Sequence, residues 1–393
     1  MSPSPVTFAS PDQPASYTWE ATDEEVAARY SLAVDSIVRF DLNTSPTPPG
    51  LASRLLAAGQ FESPLSEYPP SDYRRLVAAA ASTYGVAADE LLVGAGADEI
   101  LDLAGKAFLP AGGTAVIPVP SYAMYRVITE QRAARVLAVA RRPAAGGWAM
   151  DVDAVREAAR TADLVWLCSP NNPTGLPEPP GAIEELLTAI ATDADSAARL
   201  PAMVVLDEAY AEFLGETLLP LRLQHPNLVI VRTASKAYAL AGLRVGFAIA
   251  QPATIARIAP YRPPGSVSTI SVTVVTEALK DPHGMVANVA RVDAERLYLA
   301  DGLRDAGWSV GPTVTNFLLV DLGSPDRAAA TATGMLRRGL VPRTFGSGHP
   351  LAQCLRLTIR DRAGNDRLIA AAREIEAERA DRANRAPEVG DAR

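Results

Sequence analysis

Short apolar runs without polar alternation recur through the middle of the chain, at 114–118, 164–168, 203–206, 228–231 and 245–250. Strands covered on both faces by helices read this way, whereas a half-exposed strand alternates. Helical patterns separate the runs. The alternation predicts an α/β domain with a mostly parallel sheet. In such sheets ligands sit beyond the carboxyl ends of the strands, so the residues just after each run are where chemistry is expected.

Outside this region the pattern differs. Thr22, followed by three acidic residues, reads as the N-cap of a helix over 22–30. Residues 41–49 form a proline-broken extended stretch, and a helical pattern from Ser71 stops at Gly85. After Pro264 a long helical stretch (271–306, with a break near Pro282) precedes a strand at 316–321, a helix at 328–338 and a strand at 355–359. These elements predict a smaller α+β domain. The expected organisation is an N-terminal arm (1–40), a large α/β domain (41–265), a small domain (266–376) and a frayed, charged tail (377–393).

Composition narrows the functional classes. At 393 residues and a net charge of -8 the chain has no basic footprint for nucleic acid. No apolar stretch is long enough for a membrane span, and the Met-Ser-Pro-Ser-Pro start lacks a signal-peptide pattern. The expectation is a cytoplasmic protein with no membrane partner. Two cysteines, Cys168 and Cys354, exclude a disulfide framework, and the three scattered histidines give no metal-ligand spacing. Cys168 reads as a buried structural thiol. Only Lys106, Lys236 and Lys280 are lysine among 37 basic residues. A lysine kept in a chemically loaded context therefore stands out, because arginine cannot replace an amine nucleophile.

Lys236 has such a context: Thr233-Ala-Ser235-Lys236-Ala-Tyr-Ala-Leu-Ala-Gly242-Leu-Arg244 follows an apolar run. Small neighbours leave room for a bulky group on the amine, as a Schiff base with an aldehyde requires. Ser235 and Arg244 suit a phosphate. Asp207 ends another run, where a buried carboxylate needs a cationic partner; a protonated pyridine nitrogen is one. Tyr210, three residues on, could donate to a phenolate oxygen of the same ring. The Ser-Pro-Asn171-Asn172-Pro-Thr-Gly turn would expose the Asn172 amide. The Gly94-Ala-Gly96-Ala97-Asp98 loop enters a helix whose first amides could bind phosphate. Tyr122, after the run at 114–118, could stack on an aromatic cofactor. Singly, Asp207-Glu208 after a strand could equally be a magnesium site or a helix cap, the turn reads as an ordinary loop and the tyrosine as a core aromatic.

In order along the chain, these motifs resemble the fold type I, aspartate-aminotransferase-like pyridoxal-phosphate enzymes, and within them the histidinol-phosphate aminotransferase group. The stretches Pro-Ser-Tyr122-x-Met-Tyr125, Ser-Pro-Asn-Asn172-Pro-Thr-Gly, Asp207-Glu-Ala-Tyr210 and Ser235-Lys236-Ala-x-x-Leu-Ala-Gly-Leu-Arg244 carry the resemblance, over about 40–375. It implies pyridoxal 5'-phosphate as cofactor, with Lys236 as the Schiff-base lysine and Asp207 as the pyridinium partner. Asn172 and Tyr210 match the ligands of the ring oxygen, and Tyr122 the stacking aromatic. Ala97, Asp98, Thr233, Ser235 and Arg244 match the phosphate cradle. Tyr68 resembles a tyrosine reaching the phosphate from a neighbouring subunit, which implies a homodimer. Arg356 resembles the residue that grips the substrate's carboxylate or phosphate, with Arg343 as its helper and Asn43 nearby. Two segments near the substrate depart from the group's pattern. Asn43-Thr-Ser-Pro46 stands for the usual Asn-Glu-Asn-Pro, and Arg262-Pro-Pro-Gly265-Ser-Val for Arg-Pro-Pro-Tyr-Asn-Val.

The implied activity is amino transfer between an amino donor (histidinol phosphate or a related, possibly aromatic, amino acid) and 2-oxoglutarate. An amino-acid decarboxylase of the threonine-phosphate decarboxylase type shares almost every motif. A non-catalytic regulator on the same fold would add an N-terminal DNA-binding domain, which the first 40 residues cannot supply.

Overall fold

The structure, a computed structural model, describes residues 16–143, 147–197 and 200–385. Ahead of the sheet lie helix α1 (Asp23–Tyr30), the short strand β1 (Val38–Arg39), and helices α2 (Gly50–Ala58) and α3 (Arg74–Tyr84). The Thr22 hydroxyl accepts from the Glu25 amide while Glu25 accepts from the Thr22 amide, the reciprocal cap foreseen for this start. Gly85, at φ 65°, ends α3 as expected; α2 lies in the stretch expected to follow the proline-broken segment and was not foreseen.

Seven strands make the central sheet: β2 (Leu91–Gly94), β3 (Thr114–Val119), β4 (Arg135–Ala140), β5 (Leu164–Cys168), β6 (Met203–Asp207), β7 (Leu228–Thr233) and β8 (Gly246–Ile249). Their order is β2-β8-β7-β6-β5-β3-β4. All neighbours pair in parallel except at β8, which runs antiparallel to β7 and β2. Five strands coincide with the apolar runs; β2 and the half-exposed edge strand β4 were not among them. Helices α4 (Gly96–Phe108) and α5 (Ala123–Gln131) leave the ends of β2 and β3 on the same sheet edge.

Beyond the sheet, Thr269–Lys280 and His283–Asp305 are two helices, and Pro282 marks the expected break. The first packs Val272, Val275 and Leu279 into the apolar cluster shared with Val204, Leu206 and Ile230 of the sheet. The large domain thus extends past the expected boundary at 265, because an amphipathic helix lies with the core its apolar face fits. The small domain holds β9 (Ser309–Val310), β10 (Phe317–Asp321), β11 (Leu340–Val341) and β12 (Cys354–Thr358). β10 pairs antiparallel with β9 and β12, while β1 pairs in parallel with β11 and Phe40 joins the small domain's core.

The expected frayed tail does not begin at Ala377: the helix Arg362–Arg385 continues through it, and 386–393 lie outside the described residues. Arg379 pairs with Glu376, and Arg338 with Glu374 and Glu378. Pairs spaced three or four apart, or reaching from a neighbouring element, support a helix whose composition alone reads as solvated.

Candidate active site

Lys236 stands just past the end of β7, where its Nζ donates to the carbonyl of Asn43 at 3.2 Å and that of Leu42 at 3.5 Å. Burial of the amine, followed by repulsion from Arg356, pushes its pKa down from 10.5 to about 8. Desolvation disfavours the ammonium form, so a useful fraction of nucleophilic amine exists near neutral pH.

Asp207 closes β6 one strand away. It is buried, at 4% exposure, and among the described residues it has no arginine or lysine partner at salt-bridge distance. The Tyr125 hydroxyl donates to its Oδ2 at 2.8 Å and the Ala209 amide to its Oδ1 at 3.0 Å. Burial raises this carboxyl from 3.8 to about 6, with the two donors acting the other way. Next to it on β5, burial pushes the Cys168 thiol up to about 12, which makes it the inert core cysteine expected.

An anion cradle forms between β8, the β7 end and the start of α4. Gly246 lies so close to α4 that a Cβ there would fall 2.4 Å from the Gly96 carbonyl carbon and 2.6 Å from the Ala97 nitrogen. The first-turn amides of α4, from Gly96 to Asp98, have no helical acceptor and point outward. Thr233 and Ser235 join their hydroxyls at 3.0 Å beside them. Arg244, at φ 50°, reaches across to Asp98, 3.0 Å away, while the Tyr122 hydroxyl donates to the other oxygen of the same carboxylate at 3.0 Å. The Asp98 side chain is thus committed to orienting Arg244 and Tyr122, and what it offers an anion is its backbone amide.

A second group converges from the small domain. Arg356 on β12 donates through Nη1 to Asn172 Oδ1 at 2.7 Å and through Nη2 to the Asp41 carbonyl, and its Nε has no partner among the described residues. With its oxygen so held, the Asn172 amide presents its NH₂ as a donor. Asn43, expected at the substrate, is buried and sits between the two domains. Its Nδ2 donates to the Tyr210 hydroxyl at 3.0 Å, and its carbonyl takes Lys236 and Asn316. Tyr210 therefore retains its own proton to donate. Arg343 pairs backbone to backbone with Arg356 across an antiparallel bridge. Tyr68 stands apart from these residues, 89% exposed, with its ring against Gly265.

Several residues at the site carried no assigned role in the sequence reading. Tyr17, from the Pro/Ser-rich arm, lies over the Arg343 guanidinium at 5.1 Å and 6.4 Å from the Tyr122 ring. The arm is tied down there: Arg343 donates to the Thr18 carbonyl, and Glu20 accepts from both the amide and hydroxyl of Thr344. An arm without hydrophobic periodicity gives no signal of this. Arg141 and Glu178, a buried pair, brace the turn that presents Asn172: Arg141 reaches Asn171 Oδ1 at 3.3 Å and Glu178 takes the Met150 amide. Tyr125 was visible only as the end of a motif.

The arrangement fits pyridoxal phosphate. A buried carboxylate without a cation, an amine of depressed basicity and an anion cradle occupy one sheet edge. At Gly96 a φ of 87° disfavours any side chain, and a Cβ there would also displace the Arg244 guanidinium, whose Nη2 lies 2.5 Å away.

A family model described as aminotransferase class I and II matches residues 41–371. A histidinol-phosphate aminotransferase of Roseiflexus castenholzii is 34% identical, over 90% of this chain and 93% of that protein. One of Symbiobacterium thermophilum is 36% identical, over 86% of this chain and 91% of its own length. Among solved structures, histidinol-phosphate aminotransferase from Sinorhizobium meliloti, in complex with pyridoxal-5'-phosphate, matches with a TM-score of 0.82 at 24% identity, covering 95% and 99% of the two chains. Aspartate aminotransferase from Thermus thermophilus with maleate matches at 0.72 and 21% identity, covering 91% and 97%. The likeness bears out the expected fold type I architecture.

Proposed function

The chain belongs to the class I and II aminotransferases, pyridoxal-phosphate enzymes, and on that premise we propose that it moves an amino group from histidinol phosphate to 2-oxoglutarate. The observation that supports this donor is the pairing of Arg343 and Arg356 across one bridge, with the Tyr17 ring over Arg343 and the Tyr122 ring beyond it. A donor bearing an anion and a flat ring matches that surface. Two arginines also suit the distal carboxylate of 2-oxoglutarate, so one site serves both half-reactions.

Bound pyridoxal phosphate supplies an aldehyde for the amine and a ring that spreads the charge left when the Cα proton departs. The chain's own residues do the rest. Lys236 would hold the aldehyde through Nζ and, as a neutral amine, would take the substrate's Cα proton and pass it on in a 1,3-shift. Asp207 would keep a proton at the ring nitrogen. Asn172 and Tyr210 would donate to the ring oxygen, and Tyr122 would cover the ring. The α4 amides, Ser235 and Arg244 would hold the phosphate. The exposed Tyr68 supports a homodimer in which it serves the neighbouring site, and the small-molecule substrates suit a cytoplasmic location.

Purified enzyme incubated with 2-oxoglutarate and a panel of donors (histidinol phosphate, phenylalanine, tyrosine) tests the reading. Glutamate formation is expected to be fastest with histidinol phosphate, with no carbon dioxide released from any donor. Absence of turnover with histidinol phosphate overturns the substrate, and carbon dioxide without glutamate overturns amino transfer itself.

A further inference from the structure

Asp207 has a hydrogen-bond donor that the proposed reaction does not use. Tyr125 is completely buried on α5, and its hydroxyl reaches Asp207 Oδ2 at 2.8 Å. Its position is fixed from three sides. The ring stacks on Trp166 of β5, with centroids 5.4 Å apart and planes 6° from parallel. The Tyr122 ring meets it edge-on at 5.6 Å. Thr129, one turn along α5, donates its hydroxyl to the Tyr125 carbonyl at 2.7 Å and accepts from Trp166 Nε1 at 3.1 Å. All of Trp166, Tyr125 and Thr129 are sealed from solvent. The clamp holds the hydroxyl between Asp207 and the Cys168 thiol, and the carboxylate is the stronger acceptor of the two.

We propose that Tyr125 is a positioning residue whose hydroxyl keeps the Asp207 carboxylate the weaker base of the pair it forms with the cofactor's ring nitrogen, so that the shared proton stays on nitrogen. The proposal rests on the reading of Asp207 given above. Its physical basis is a competition at one carboxylate. Burial favours the neutral acid, and a donor to the charged form opposes it. A hydrogen bond to an ionised group is roughly twice as strong as one between neutral groups. The other ionisable groups facing Asp207 are Cys168 from β5, Asp98 from α4, Tyr210 after β6 and Lys236 after β7. Of these, Asp98 favours the protonated acid and Lys236 opposes it, while burial keeps the Cys168 thiol neutral. Among the described residues, Tyr125 and the Ala209 amide are the donors in direct contact, and Tyr125 is the one that reaches Oδ2.

The test loads the full-length enzyme with pyridoxal phosphate labelled with ¹⁵N in the ring and reads the nitrogen's NMR shift. Asp207→Asn supplies the shift of the unprotonated ring. Tyr125→Phe removes one oxygen and keeps the stack on Trp166, and its shift is expected to move a third or more of the way to that reference, with kcat falling and KM steady. Thr129→Val leaves the hydroxyl in place but strands the Trp166 N–H; it is expected to lower Tm and keep the wild-type shift. A cofactor-loaded Tyr125→Phe with the wild-type shift overturns the proposal. A wild-type shift equal to that of Asp207→Asn overturns the reading of Asp207 itself.

Discussion

Lys236 poses its question at the scale of one residue, because an amine must be neutral to combine with an aldehyde. Burial first, then the Arg356 cation, lowers its pKa to about 8. Cofactor uptake by the cofactor-free protein should therefore rise with pH, by roughly tenfold per unit below a midpoint near 8, and level off above it. Protonation at lower pH removes the nucleophile, which sets the sign. Arg356→Met removes a repelling cation, so the midpoint should move up toward that of an ordinary lysine. Stopped-flow absorbance of lysine-bound cofactor measures both, with Lys236→Ala as the blank. A midpoint near 10.5, the value of an unburied lysine, contradicts the argument. This residue was legible in the sequence because its chemistry is: a scarce lysine among small residues after an apolar run. Tyr125 was not, since the motif offers two tyrosines three apart and nothing local tells which meets Asp207. Tyr17 was still less so, because its neighbours at the site, Tyr122 and Arg343, are more than a hundred positions away.

The contact between β8 and the start of α4 governs the anion cradle at the scale of elements. Both glycines of the Ala-Gly242-Leu-Arg-Val-Gly246 stretch look alike in sequence. In the structure a Cβ at Gly242 meets nothing within 4 Å, whereas one at Gly246 falls 2.4 Å from the α4 backbone. Gly246→Ala must push α4 away from Thr233 and Ser235, and its affinity for pyridoxal phosphate is expected to fall by about tenfold or more, a loss of about 1.4 kcal/mol. Gly242→Ala should bind the cofactor like the wild type. Fluorescence titration of the cofactor-free proteins reads the difference, and equal affinities would contradict the packing argument. The buried strands were legible because a strand covered on both faces needs an uninterrupted apolar run. The edge strand β4 was not, since it leaves Leu137 and its neighbours partly in solvent and so lacks that signature. The helix through Arg385 was missed for a related reason: ion pairs to Arg338 and within the helix do the work that an apolar stripe does elsewhere.

At the scale of the whole molecule, Tyr68 is a large aromatic with 89% of its surface exposed, outside the cluster around Lys236. Leu65, at 63%, stands three residues before it, and Gly265, at φ 71°, supports its ring. Two exposed apolar side chains so placed suit the homodimer proposed above. In a twofold dimer the same patch on each chain meets its copy, so a residue leaving one site enters the other. This geometry makes a prediction that a monomer cannot satisfy. A hybrid of one Lys236→Ala chain and one Tyr68→Ala chain places both defects in one site and leaves the second intact. Such a hybrid, isolated through two different tags, is expected to turn over at about half the wild-type rate per dimer. Each parent homodimer carries a defect in both sites: Lys236→Ala should be inactive, and Tyr68→Ala should bind cofactor weakly. If Tyr68 instead serves its own chain, every site in the hybrid is defective and its activity stays at or below half that of the Tyr68→Ala homodimer. The two arrangements therefore differ in whether mixing two damaged chains restores a full site.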